Sequence, residues 1–142
     1  NQNSGVKCFR IPRKLFRSTT SAYVAFTIAC ELARWSSLSA VIENSELWHL
    51  CCQAQREIFC LRQHGLVGKL MALVMSNRRQ AKMMRDMERD AAKMGFMNFF
   101  HFHHGGKVRQ QPILGLENAV KMGQAQGREM PACVELLARC NT

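Results

Sequence analysis

The sequence lacks the side-chain groupings that mark most enzymes. Acidic residues are sparse, with 10 Asp plus Glu in 142 residues, and no two carboxylates are spaced for general acid–base work. No serine follows the pattern of a nucleophile elbow. Cys52 with His49, or Cys60 with His64, could form a cysteine–histidine pair, but nothing nearby marks either thiol as activated. We expect a protein that is not an enzyme and that takes no cofactor or small-molecule substrate.

Long apolar runs and regular cysteine spacing are also missing. No segment reaches the roughly 18 apolar residues of a membrane helix, and the apolar residues 23–30 are followed at once by Glu31 and Arg34. The seven cysteines are an odd number without a Cys-x-x-Cys pair, which argues against a secreted disulfide framework. We therefore expect a reducing compartment and mostly buried thiols.

Positive charge, in contrast, is abundant. The chain has 20 Lys plus Arg against 10 Asp plus Glu, a formal net charge of +10. An excess of this size favours polyanionic partners: nucleic acid, anionic lipid or an acidic protein surface. The alternative is a basic protein surrounded only by counterions.

The clearest charge pattern lies in residues 78–94. At about 100° per residue, five cations fall in one narrow sector of a helix, and we name them the cationic stripe: Arg78, Lys82, Arg85, Arg89 and Lys93. A methionine-rich packing face lies opposite, formed by Met83, Met84, Met87, Ala91 and Met94. The stripe would extend about 22 Å along the helix axis, which suits several successive phosphates. Alternatively it is a solvated face, partly neutralised by Asp86 and Asp90.

The first 17 residues form a second basic segment. They contain Lys7, Arg10, Arg13, Lys14 and Arg17, no acidic residue, and interleaved Phe and Ile/Leu side chains. This composition is typical of organelle transit peptides and equally of an extended arm lying on RNA. Pro12 argues against one continuous helix here. We assign Arg10, Arg13, Lys14 and Arg17 to polyanion contact; a solvated terminus is the alternative.

Apolar periodicity predicts an all-α fold: a small bundle of three main helices with a basic N-terminal arm and two short C-terminal helices. The main helices are expected over residues 21–42, 45–64 and 66–94, the last with a break at Ser76-Asn77. Ser18, Thr19 and Thr20 are predicted to cap the first of them. In the second, a buried seam is predicted from helical spacing: Leu47, Cys51, Ala54, Ile58 and Leu61. Leu66, Leu70, Leu73 and Val74 are expected to pack inward. The short helices cover residues 115–122 and 131–140, after a hinge at residues 110–112. The predicted division is arm 1–17, helical body 18–95 and tail 96–142.

Residues 96–107 combine four aromatics with three histidines. We expect a packed loop or a short extended segment rather than a helix. His101, His103 and His104 could contribute to a zinc site with distant thiols such as Cys133 and Cys140, but no cysteine spacing supports it. The same side chains could instead stack on RNA bases.

Together these features predict a non-catalytic structural subunit of a large ribonucleoprotein, an organellar (mitochondrial) ribosome on the matrix side. Its partners would be RNA, specifically rRNA, and neighbouring protein subunits. The alternative is an accessory subunit of a mitochondrial inner-membrane energy-conversion complex, respiratory chain or ATP synthase, that docks by protein–protein contacts. In that case the cationic stripe would face acidic subunits or anionic lipid. A free-standing nucleic-acid-binding regulator, which could be cytoplasmic, is a third possibility.

Overall fold

The computed structural model describes residues 10–92 and 95–140, and it confirms the predicted all-α class. Within these residues there is no strand. Eight α-helices follow one another: α1 (Arg13–Leu32), α2 (Leu38–Glu43), α3 (Ser45–Phe59), α4 (Gly65–Val74), α5 (Asn77–Ala91), α6 (Phe96–Phe100), α7 (Gln110–Gln124) and α8 (Pro131–Cys140). A 3-10 turn, Arg62–His64, precedes α4, and a π-helix, His101–Lys107, continues α6.

The first helix begins earlier than predicted. Pro12 is its N-cap residue, with a φ of −56° that already suits a helix start. Ser18, Thr19 and Thr20, predicted to cap the helix, instead lie inside it. Their hydroxyls donate to carbonyl oxygens one turn earlier, at 2.9 Å for Ser18 and Thr20 and 3.0 Å for Thr19. This back-bonding satisfies a hydroxyl within a helix, so the predicted capping role is wrong.

The predicted helix over residues 21–42 is divided in two. Arg34 and Trp35 adopt left-handed backbone conformations, with φ values of 55° and 56°, which end α1. Ser37 then caps α2 by accepting a hydrogen bond from the Ala40 N–H at 2.8 Å. Trp35 is buried in the break, so its apolar ring still contributes to the core although it lies outside both helices.

The packing of α1 against α3 is the most extensive helix–helix contact. The predicted seam of α3 is confirmed, because Leu47, Cys51, Ala54 and Ile58 are all buried. Asn44 rather than Ser45 caps this helix, accepting from the Leu47 N–H at 3.1 Å. The helix ends at Phe59, short of the predicted residue 64.

Helix α1 and the helix packing connect the residues of the predicted arm, body and tail. Helix α1 runs from Arg13 through the boundary at residue 17. Helices α7 and α8, which belong to the predicted tail, both pack against α1, and α8 packs against α3 as well. Leu116 and Leu136 from these two helices are fully buried. The C-terminal residues therefore form part of the core.

Proline placement explains the start of the last two helices. Pro112 occupies the third position of α7, where a backbone N–H has no intrahelical acceptor and its loss costs nothing. The hinge predicted at residues 110–112 is therefore wrong. Pro131 is the first residue of α8, whose bounds agree with the predicted residues 131–140.

Residues 96–107 are helical, which corrects the predicted loop or extended segment. The reason is aromatic packing against the end of α1. Phe100 is buried and meets Trp35 edge-on at a ring-centroid distance of 5.2 Å, while His101 stacks on Trp35 at 5.7 Å. Gly105 permits this approach, since a Cβ there would lie 2.6 Å from the His101 ring.

Two glutamates join distant helices by capping them. Glu88 on α5 accepts from the backbone N–H groups of Leu38 and Ser39, at 2.7 and 3.1 Å, at the start of α2. Glu57 on α3 accepts from the N–H groups of Ala132 and Cys133, at 2.9 and 3.0 Å, at the start of α8. A carboxylate suits the positive end of a helix dipole. Each glutamate therefore fixes one helix against another.

We predict that Glu88→Gln destabilises the fold by about 1–2 kcal/mol, because charge-assisted hydrogen bonds are replaced by weaker neutral ones. Urea unfolding followed by circular dichroism measures the change. Glu129→Gln is the matched control, since Glu129 is exposed, and should stay within about 0.5 kcal/mol of the parent. Equal stability of the two variants would contradict the capping role of Glu88.

Candidate functional site

Helix α5 presents the cationic stripe outward. Its packing face is formed by the buried side chains of Gln80, Ala81, Met84 and Ala91. The described members of the stripe are all exposed: Arg78, Lys82, Arg85 and Arg89. Over these four residues the stripe extends about 16 Å along the axis. Lys93 and Met94 lie outside the described residues.

The predicted internal pairing neutralises part of the stripe. Asp86 forms ion pairs with Lys82 and, at 3.3 Å, with Arg89. The hydrogen bond from Lys82, helped by the positive charges of Lys82 and Arg89, lowers the pKa of the Asp86 carboxyl. Within the described part of the chain, Arg78 and Arg85 take part in no ion pair. The stripe thus retains positive charge at its first and third positions.

The methionine face is only partly as predicted. Met84 is buried and Met87 packs against the core, whereas Met83 is exposed. The turn of about 100° per residue explains the difference. Met84 points at the centre of the buried face, and Met83 is rotated to its edge.

The basic residues of the N-terminal segment are exposed but lie apart from α5. Arg10, Arg13, Lys14 and Arg17 are all on the surface. Lys14 and Arg17 line a cleft of about 410 Å³ with Arg62 and the first residues of α4. Helix α5 instead packs on α2, α3 and α6. The structure therefore places the two predicted groups of cations on different elements.

Helix α4 carries an apolar face that the sequence pattern did not reveal as exposed. Leu66, Leu70 and Leu73 are 82%, 59% and 81% exposed, and we name them the leucine face. The prediction that they pack inward is wrong, as it is for Val74, which is also exposed. The outward orientation of these leucines is caused by Gly68, which lies on the opposite side of α4. A Cβ at Gly68 would lie 2.1 Å from the Phe59 carbonyl oxygen. Close approach at Gly68 turns the leucines outward.

The histidines of residues 101–104 are mostly engaged with aromatic rings. His104 contacts Phe100 at a centroid distance of 4.8 Å, and His103 stacks on Phe99 at 5.7 Å. Burial, with a smaller contribution from His103, lowers the pKa of His104. Across residues 10–92 and 95–140, no three His, Cys, Asp or Glu side chains converge as a metal site requires. Phe99 and Phe102 remain exposed.

The structure gives the surroundings of the two cysteine–histidine pairs considered from the sequence. Burial raises the pKa of Cys52 to about 12, which disfavours the reactive thiolate, while His49 lies near the Asn77 amide at 3.4 Å. His64 is held by Ser18, at 3.1 Å from its Nδ1, rather than by Cys60. Burial and the nearby Arg17 lower the pKa of His64, which favours the neutral ring.

Comparison of the chain with protein-family models, with curated proteins and with solved structures found no match. None of the described helices has the length and hydropathy needed to cross a bilayer. The candidate functional surfaces are therefore identified from the structure alone. They are the cationic stripe, the basic cleft and the leucine face.

We predict a strong hierarchy of thiol reactivity. Cys30, Cys51, Cys52 and Cys133 are buried, whereas Cys60 and Cys140 are partly exposed. Burial raises the pKa of Cys30 to about 12, so its thiolate is scarce at neutral pH. When the native protein is labelled near neutral pH and its peptides are analysed by mass spectrometry, Cys60 and Cys140 should be modified first among the six described cysteines. Rapid modification of Cys51 without urea would contradict this core.

Proposed function

We propose that this chain is a non-catalytic structural subunit of a large ribonucleoprotein, with the mitochondrial ribosome as the assembly. The observation that carries the proposal is the outward orientation of the cationic stripe on a helix whose opposite face is anchored in the core. A rigid row of cations makes sequence-independent contacts with phosphates. Its partner would be RNA, specifically rRNA, and its location the matrix side of the mitochondrion.

The anchoring of α5 supports this role. Glu88 ties the last turn of the helix to α2, and Met84 fixes it in the core. Arg78, Lys82, Arg85 and Arg89 therefore share one surface without any folding step on binding. Preorganised contacts lose less entropy when a partner binds, which suits a permanent component of an assembly.

The leucine face supports the second half of the proposal, contact with neighbouring protein subunits. Three large, exposed leucines on successive turns are unusual for an isolated monomer and typical of an interaction surface. The same observation favours a second candidate function: an accessory subunit of a mitochondrial inner-membrane energy-conversion complex, docked through protein–protein contacts. The two candidates differ in whether the cationic stripe binds RNA.

The test of RNA binding is the charge-reversal variant Lys82→Glu, Arg85→Glu and Arg89→Glu, measured with a single-stranded RNA oligonucleotide over a range of salt concentrations. Loss of three phosphate contacts should reduce the slope of log K against log salt by about two and weaken binding at low salt at least about tenfold. Circular dichroism should remain that of the parent, because these side chains are exposed.

The control changes the same number of exposed cations elsewhere: Lys107→Glu, Lys121→Glu and Arg128→Glu. Both variants lose the same net charge, so a purely non-specific attraction would weaken equally in both. An RNA affinity that is unchanged by reversal of the stripe, or reduced equally by the control, rules out the stripe as the RNA-binding surface.

The leucine face is tested by Leu66→Gln with Leu73→Gln. Since both leucines are exposed, the free energy of unfolding should change by less than about 0.5 kcal/mol. Incorporation of the tagged variant into its native assembly, followed by sucrose-gradient sedimentation, should fall. The exposed Leu114 and Val134, changed together to Gln, provide the control. Normal incorporation of the leucine-face variant would show that this surface is not an interface.

A further inference from the structure

A basic cleft lies where the start of α1 meets the start of α4. Lys14 and Arg17 line it from α1, Arg62 from the 3-10 turn, and Gly65, Leu66 and Val67 from the first turn of α4. Its volume is about 410 Å³. Of the described residues that line it, none is acidic, so three cations converge without a compensating charge. A bound anion would offset the electrostatic repulsion among these three positive charges.

The backbone adds to this positive field. The N-terminus of the ten-residue α4 opens on the cleft, and the side chain of its N-cap residue, His64, makes no capping hydrogen bond. The N-terminal end of a helix carries a partial positive charge that attracts oxyanions. A second polar feature of the cleft acts together with this helix terminus.

That feature is His64, which also lines the cleft and is only 4% exposed. Among the described residues its Nε2 atom has no hydrogen-bond partner. The Ser18 hydroxyl donates to the Lys14 carbonyl oxygen at 2.9 Å and lies 3.1 Å from His64 Nδ1. Because the hydroxyl hydrogen is used, Nδ1–H is the donor to Ser18. Nε2 therefore carries the lone pair in the neutral ring and becomes a donor on protonation.

We propose that this cleft is a binding site for a phosphate group, held by Lys14, Arg17, Arg62 and the start of α4, with His64 Nε2 as an additional donor. Arg provides the forked geometry that suits phosphate oxygens. The identification of that phosphate with the RNA backbone rests on the proposed function, whereas the anion site itself does not. The cleft would then hold RNA at a second place, distinct from the cationic stripe.

Charge linkage gives the site a measurable signature. Burial and the positive charge of Arg17 lower the pKa of His64. The charged groups that line the cleft with it are Lys14 and Arg17 on α1 and Arg62 on the turn. His64 also lines a second cleft, formed with α1, α3 and α7, whose described lining has no Asp, Glu, Lys or Arg. A bound anion favours the imidazolium and must raise the pKa of His64.

The experiment follows the ring C–H signals of all five histidines by NMR during pH titration, with and without sulfate. Sulfate is chosen as the probe because its charge is constant in this range; inorganic phosphate is then titrated at one pH. We expect sulfate to raise the pKa of His64 selectively, with His49, His101, His103 and His104 as internal references. The absence of any change at His64 would overturn the site.

Paired variants localise the effect. Arg17→Gln with Arg62→Gln should weaken phosphate binding at least about tenfold, the loss expected for charge-assisted hydrogen bonds, and abolish the response of His64. Lys107→Gln with Lys121→Gln removes the same charge from exposed positions elsewhere and should leave the response intact. All four residues are exposed, so both variants should fold. An equal response in the two variants would overturn the assignment.

A third measurement separates the anion site from the RNA function. A single-stranded RNA oligonucleotide should reproduce the shift of His64 and displace bound phosphate. If phosphate binds but RNA does not change the pKa of His64, the identification of the bound phosphate with the RNA backbone is overturned. The anion site itself is still supported in that case. In the charge-reversed stripe variant, sulfate should still raise the pKa of His64. The experiment therefore distinguishes a failure of RNA binding by the cationic stripe from a failure of anion binding by this cleft.

Discussion

The close packing of α1 against α3 is the constraint on which the rest of the structure depends. Small residues on the buried side of α1, Ala22, Ala25 and Ala29, leave room for the larger side chains of its neighbours. Phe26 of α1 and Ile58 of α3 belong to this core and are almost fully buried. Helices α7 and α8 then pack on this pair, so the C-terminal residues complete a core that the first half of the chain begins. In close-packed interiors even one added methylene is costly.

The same core determines which surfaces remain for partners. Contact at Gly68 brings α4 so near the end of α3 that its glycine side faces inward, and the leucines are left outside. Glu88 fixes α5 on α2 and orients the opposite, cationic side of the helix outward. Two surfaces of different chemistry, one apolar and one positive, thus arise from adjacent helices. In the proposed assembly, the apolar surface would contact neighbouring protein subunits and the positive surface would contact RNA.

The amphipathic segments were predictable because their periodicity is local. The seam of α3 and the orientation of Arg78 and Arg85 follow from spacing alone. The exposure of the leucine face was not predictable, because an apolar helix has the same sequence pattern whether its leucines face the core or the solvent. The tertiary contact at Gly68 determines which side of α4 faces the core. The π-helix depends likewise on Trp35, which lies over sixty residues away in the chain. The basic cleft needed three separate elements, so no sequence window contained it.

The measurement that tests the central claim most directly is native purification through this chain, with an absorbance spectrum before and after RNase treatment. A structural subunit of a ribonucleoprotein should be recovered in a large, RNA-rich particle that disassembles with RNase, because phosphate contacts then lose their partner. Recovery of a particle that contains no RNA, and that needs detergent to remain in solution, would contradict the account and favour the membrane-complex subunit.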